Sequence, residues 1–351
     1  MLAHVAHILP LTTVRRERLL PIPGRITVRE GQKVNPLDVV AEAHFGGQHQ
    51  LIDVARMLET LPAAAQKLIQ VKAGDVISQG DVIAEQTGFF SQIIRTPCSG
   101  RVLLVGNGQI LMEVGENTFE LHASLPGTVT RQITDRGVEI TFHGALVQGA
   151  WGNGQMNIGL MWPLLTTPTD SLAVKQLDVS LRGSVLLAGY CNDPAALRTA
   201  GELQVRGIIL GSMSPVLIPQ ALQARFPIIL VDGFCQRPLN SAAYKLLTTN
   251  AKREVTLNAI PLDQQTGARP EIFIPLPVTQ EPPLPRDVDA FSPEQPVRLM
   301  RDPHFGEIGI LVNLRPGLTP MPSGLRVAAA EVKLDSGEQI LVPLANLEIL
   351  G

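Results

Sequence analysis

The stretch GRITVREGQKVNPLDVVAEA, residues 24–43, returns as KLIQVKAGDVISQGDVIAEQ at residues 67–86. Each copy opens on a β-prone run and turns at a glycine, Gly31 in the first and Gly74 in the second. A second turn follows, Asn35-Pro36 or Gln79-Gly80, and each copy closes on another apolar run ending in alanine–glutamate. Glycine permits the turn dihedrals, and alternating valine and isoleucine supply one buried strand face. The same grammar recurs less regularly at Pro97–Gly108 and Pro126–Gly137. Internal repetition of this kind indicates related structural units and says little about chemistry.

Composition agrees with a turn-rich chain. Among 351 residues there are 31 glycines and 28 prolines, which interrupt helices and disfavour a bundle or coiled coil. Hydrophobic residues make up 45 %, enough for a substantial core, whereas charged residues supply only 17 %. With a formal net charge of −3, nothing in the composition predicts a general nucleic-acid binder.

The phrases VKAGDVISQGDVIAE (71–85) and TPCSGRV (96–102) resemble the hammerhead halves of biotinyl/lipoyl-like barrel-sandwich domains. The resemblance covers about residues 15–115, and the associated β region is expected to extend to 165. It implies a β-rich barrel-sandwich hybrid carrying a helical insertion at 50–66. Carriers of this family attach biotin or lipoate to a lysine on the hairpin between the halves. That position falls near Phe89, and no lysine occurs from 73 to 174, so covalent biotin or lipoate is not expected. Phe89 and Phe90 stand there instead, an aromatic pair suited to docking a protein.

From 181 to 260 the pattern changes to alternating buried strands and helices. LRGSVLLAGY, VRGIILGS and FPIILVDGF read as strands, and NDPAALRTAGELQ and PLNSAAYKLLTTN as helices. This alternation predicts a small open α/β sheet with mostly parallel strands. In such sheets ligands bind beyond the carboxyl ends of the strands. Gly189, Asp193, Gly211, Ser212, Asp232 and Gly233 are therefore the candidate ligand-binding residues. No phosphate-loop motif, nucleophile–base pair or Cys/His metal cluster accompanies them, so no catalytic residue, cofactor or metal is assigned.

Residues 261–296 are rich in proline and predict a connector, with one short strand at EIFIP (271–275). The remaining segment, 297–351, resembles a KOW-type, SH3-like small barrel through GEIGILVNL (306–314) and VPLANLEIL (342–350). That resemblance implies partners among ribosomes, RNA or transcription proteins, and Arg298, Arg301 and Arg315, were folding to gather them on one face, are the candidate RNA contacts. From 298 onward, however, five basic residues face six acidic ones, a balance that favours protein docking over RNA.

The expected whole is a multidomain α+β protein: an N-terminal barrel-sandwich hybrid, a central α/β sheet and a C-terminal SH3-like barrel. The apolar N-terminus carries its arginines after the apolar run, contrary to a secretory signal, and no run is long enough to span a bilayer. The three cysteines are widely separated, consistent with reduced thiols in the cytoplasm. The leading functional expectation is a non-enzymatic scaffold or adaptor in a cytoplasmic multiprotein assembly, anchored by Phe89, Phe90, Trp151 and Trp162. The alternatives are a metabolite-binding or enzymatic protein using the 189–233 crevice and a ribosome- or RNA-associated protein.

Overall fold

The computed structural model describes every residue except Met1, 87–90, Glu116, Cys235, 264–266, Thr279 and Pro283. The chain is β-rich with a few short helices, an α+β arrangement built from several sheets. Strand Gly137–Gln148 lies at its middle. One edge pairs with Ile8–Leu19 along almost the whole length. The other edge pairs with Gly127–Ile133 near its start and Glu271–Pro275 near its end.

The two similar repeats belong to different cores. In the first, the Gly31 amide donates to Val129 O at 2.8 Å and the Val129 amide donates to Gln32 O at 2.9 Å. In the second, Gly74 and Val102 make the matching pair of bonds at 2.7 and 2.8 Å, with Asp75 in the place of Gln32. Both glycines have positive φ, +80° and +98°, where a side chain would be strained. Residues 24–43 thus associate with 127–141 around Val34, Val40, Val129 and Ile140. Residues 67–86 associate with 92–106 around Ile77, Ile83, Ile94 and Val102. The second unit is inserted into the first, between the paired strands Val39–Phe45 and Asn117–His122.

The expected helical insertion at 50–66 begins instead with a strand, Gln48–Asp53, paired to Gln109–Val114. Asp53 then caps the short helix Val54–Met57 by accepting from the Arg56 amide, and Pro62 opens the helix Pro62–Leu68.

In the central region Ser184–Cys191, Gly207–Met213 and Ile228–Gly233 run parallel. Helices Pro194–Glu202 and Ile218–Gln223 are rooted in one face of this sheet, and Ser241–Thr249 packs on the other. The expected boundary near 165–181 does not divide the sheet, because Met156–Pro163 pairs in parallel with Ser184–Cys191. Glu254–Asn258 lies antiparallel on its other side and pairs onward to Glu271–Pro275. The α/β region and the N-terminal β region therefore share one eleven-stranded sheet.

The short strand expected at 271–275 takes part in that continuity, within a segment otherwise read as a connector. Ile272, Phe273 and Ile274 are fully interior, and Pro270 and Pro275 flank the run, where loss of a ladder donor is tolerated. Strand Val288–Ala290, also within this segment, pairs with Leu2–Ala6. Leu2–Ala6 in turn lies parallel to Leu347–Leu350, at the edge of the five C-terminal strands. The apolar N-terminus thus joins the C-terminal sheet, and the chain closes on itself.

Phe273 meets Phe142 edge-on with ring centroids 5.1 Å apart, inside the core shared with the first repeat unit. Phe273→Ala should cost about 3–5 kcal/mol, the loss of a large buried ring plus its cavity. Urea unfolding of the full chain checks this, and a loss below about 1 kcal/mol would show that the sheet junction is not a packed core.

Candidate functional site

The residues expected to line an open crevice lie at or near the carboxyl ends of the parallel strands, and the chain's own backbone packs against the end of Ser184–Cys191 there. Segment 164–172 makes this contact. The Tyr190 amide donates to Asp170 O at 3.0 Å, and the Leu172 amide donates to Tyr190 O at 2.8 Å. A Cβ on Gly189 would lie 1.9 Å from Asp170 O, so this glycine serves close backbone approach. The crossing segment is held by Asp170, whose carboxylate accepts from the amides and hydroxyls of Thr166 and Thr167. Those bonds hold its carboxyl well below the usual carboxylate range.

The other members have equally local partners. Gly211 packs against Leu239, and the buried Ser212 hydroxyl donates to Arg237 O at 3.2 Å. Asp193 caps helix Pro194–Glu202, accepting from the Ala195 amide at 2.8 Å. Gly233 takes φ +95° at the turn leaving its strand. Cys191, buried beside them, has its thiol pushed up to about 11 by desolvation, which makes it a poor nucleophile at neutral pH. Among the described residues, no group of three or more His, Cys, Asp or Glu side chains is placed to hold a metal ion.

Asp232 is the exception in reach. Its carboxylate accepts from the Asn240 amide at 2.8 Å and from Asn240 Nδ2 at 2.7 Å. Asn240 then caps helix Ser241–Thr249 through the Ala243 amide at 2.8 Å. On its other side Asp232 faces Arg298 of the terminal sheet at 3.6 Å. Arg298 continues to Glu348 at 3.5 Å, and Glu348 to Arg269 at 2.9 Å. Burial pushes the Asp232 carboxyl up, with Arg298 and the Asn240 bonds opposing that shift. The four side chains form an ionic chain between the α/β region and the C-terminal strands. Arg237 adds a second tie, 3.3 Å from Asp302 and over the Phe305 ring.

This arrangement bears on the arginines considered for RNA. Arg298 is only 3 % exposed and committed to carboxylates, so no phosphate backbone reaches it. Arg315 is paired with Glu331, and Arg301 is solvent-exposed. The proposed aromatic anchors also separate. Phe89 and Phe90 lie outside the described residues. Trp151 is half-buried, with its ring edge-on to Phe234 at 5.4 Å, a packing role. Trp162 remains 41 % exposed with Lys252 Nζ 5.1 Å from its ring centroid.

Leu160, two residues before Trp162 on the same strand face, is 57 % exposed and was not singled out from sequence. The intervening Met161 is buried in the opposite core. The period-two pattern of LMW carried that signal, but both flanking apolar residues read equally well as core. No family model matches the chain, and no curated protein matches it significantly in sequence.

Breaking the ionic chain is expected to be costly. Arg298→Met should destabilise the protein by about 3–5 kcal/mol by stranding buried carboxylates. It also removes the group that restrains the Asp232 pKa. A raised carboxyl favours the folded state when protonated, so the variant's stability should fall further, relative to the parent, as pH rises from about 4 toward neutrality. Adding Asp232→Asn should recover part of the loss and flatten that slope. Denaturation at several pH values checks all three outcomes, and strictly additive effects would contradict the coupling.

Proposed function

We propose that this chain is a non-enzymatic scaffold subunit of a cytoplasmic multiprotein assembly, with the N-terminal units acting as carrier-free barrel-sandwich modules and the C-terminal strands as an SH3-like docking barrel. The observation that carries this reading is the solvent-facing pair Leu160 and Trp162 on a sheet whose neighbouring surface is sheathed by helices. Their strand is held on both sides, by Ser184–Cys191 and by Glu254–Asn258. A tryptophan presented on such a fixed strand loses little freedom on association, which suits it as an interface anchor.

Two further features support the same reading. At the α/β crevice that an enzyme of this architecture uses, residues 164–172 pack against the end of Ser184–Cys191, and its glycines and Asp232 are engaged with the chain itself. The ionic chain from Asp232 to Arg269 and the continuous sheet set the spacing between modules, as a scaffold requires. The cytoplasmic placement rests on the free thiols Cys98 and Cys191 and on the separation of the cysteines in sequence. Among the described residues no helix is long and apolar enough to cross a membrane.

Affinity purification of the tagged full chain from its native cell tests the proposal. Stoichiometric protein partners should be recovered with the parent, and Trp162→Ala with Leu160→Ser should weaken that binding by about thirtyfold while leaving the circular dichroism unchanged. Equal recovery by parent and variant would remove this face from the interface.

A further inference from the structure

Where the first repeat unit, the central sheet and the terminal strands meet, they line a partly open cavity of about 330 Å³. We propose that this cavity binds a small organic monocarboxylate, its carboxylate on Arg18 and its apolar body against Leu125, Phe273 and Val288. The volume lies at the lower end of small-molecule sites.

The charge pattern of the wall selects the ligand. Arg16 and Arg18 lie on one face of strand Ile8–Leu19, whereas Arg15 pairs with Glu281, and Glu17, which also borders the cavity, pairs with Arg131. Arg16 is matched by Glu271 at 2.8 Å, and Glu271 is fixed by Gln148 Nε2 at 3.0 Å. Arg269 is matched by Glu348. Among the described residues Arg18 is the one arginine of the wall with no hydrogen bond or close ion pair to a carboxylate, Glu271 acting on it only at longer range. Its Nε donates to His122 O at 3.1 Å, and its two terminal nitrogens have no acceptor among the described residues. The side chain is half-buried, and a guanidinium stays charged in proteins. Two terminal N–H groups in a planar fork match the two oxygens of a carboxylate.

Asn258 supplies a second unused group. It is 7 % exposed, lines the cavity, and its side-chain amide makes no hydrogen bond among the described residues. Leu125 and Phe273 provide the apolar wall opposite. A doubly charged phosphate fits less well, because Glu17, Glu271 and Asp287 also line the cavity and repel a second negative charge.

Isothermal titration of the full chain with acetate, butyrate, benzoate and inorganic phosphate tests the assignment. At least one of the acids should bind saturably at one site, and phosphate should bind more weakly. Arg18→Gln should lower the acid's affinity by about tenfold or more, the effect of losing a charge-assisted pair. Val288→Trp, at a solvent-exposed position of the lining, keeps Arg18 and should also weaken binding by filling the space. The proposal is overturned if none of the three acids binds, if phosphate binds as tightly, or if Arg18→Gln binds as the parent does. Should Arg18→Gln fail to fold, undiminished binding by Val288→Trp overturns it equally.

Discussion

The pairing of strand Gly137–Gln148 on both edges is the constraint on which the rest of the molecule depends. Its one edge is taken up by Ile8–Leu19, and its other edge is divided between the first repeat unit and Glu271–Pro275. Nearly all of its twelve residues are buried, with Val138, Ile140 and Phe142 in one core and Ala145 and Val147 in another, so a one-residue slip would exchange the side chains of two packed cores and the register is strongly specified. Through Glu271–Pro275 that register passes to Glu254–Asn258 and on to the parallel strands. The position of residues 164–172 at the end of Ser184–Cys191, and of Trp162 at the surface, follows from this shared sheet.

A second constraint is electrostatic. The chain Asp232–Arg298–Glu348–Arg269 crosses from the α/β region into the terminal strands and back to the segment beside Glu271. Its members are too buried to be left single, so the modules must meet with their charges aligned. Arg298 retains Nε and Nη2 atoms without a hydrogen-bond partner, consistent with a contact that specifies geometry more than it adds stability. The same meeting of modules lines the Arg18 cavity, so the ligand pocket and the module spacing share one origin.

Much of the local structure was legible in the sequence, because it is written in short-range chemistry. Gly31 and Gly74 mark equivalent turns, and DPAAL and NSAAY carry their own helix caps in Asp193 and Asn240. Long-range pairing was not legible. Nothing local in GRITVREGQ shows that its partner lies near Val129, beyond an inserted unit with the same grammar. The strand Glu271–Pro275 was legible within the proline-rich segment because its prolines stand at the strand's ends, but its place between Gly137–Gln148 and Glu254–Asn258 was not. Glycines at strand ends looked like a ligand crevice, whereas their lack of Cβ admits the Asp170 backbone and the Leu239 side chain. In RRER the alternation of Arg16 and Arg18 was the visible signal for a common face, but only the fold shows which one lacks a carboxylate.

The central claim is that the outer unit, the shared sheet and the terminal strands form one cooperative body that holds its surfaces at fixed spacing. Native-state hydrogen exchange measured peptide by peptide tests it most directly. Amides in 137–148, 228–233, 254–258, 271–275 and 297–299 should share a common, global opening free energy, with the inserted unit 48–114 free to open separately. Exchange of 228–233 or 297–299 at a markedly lower free energy than 137–148 would contradict it.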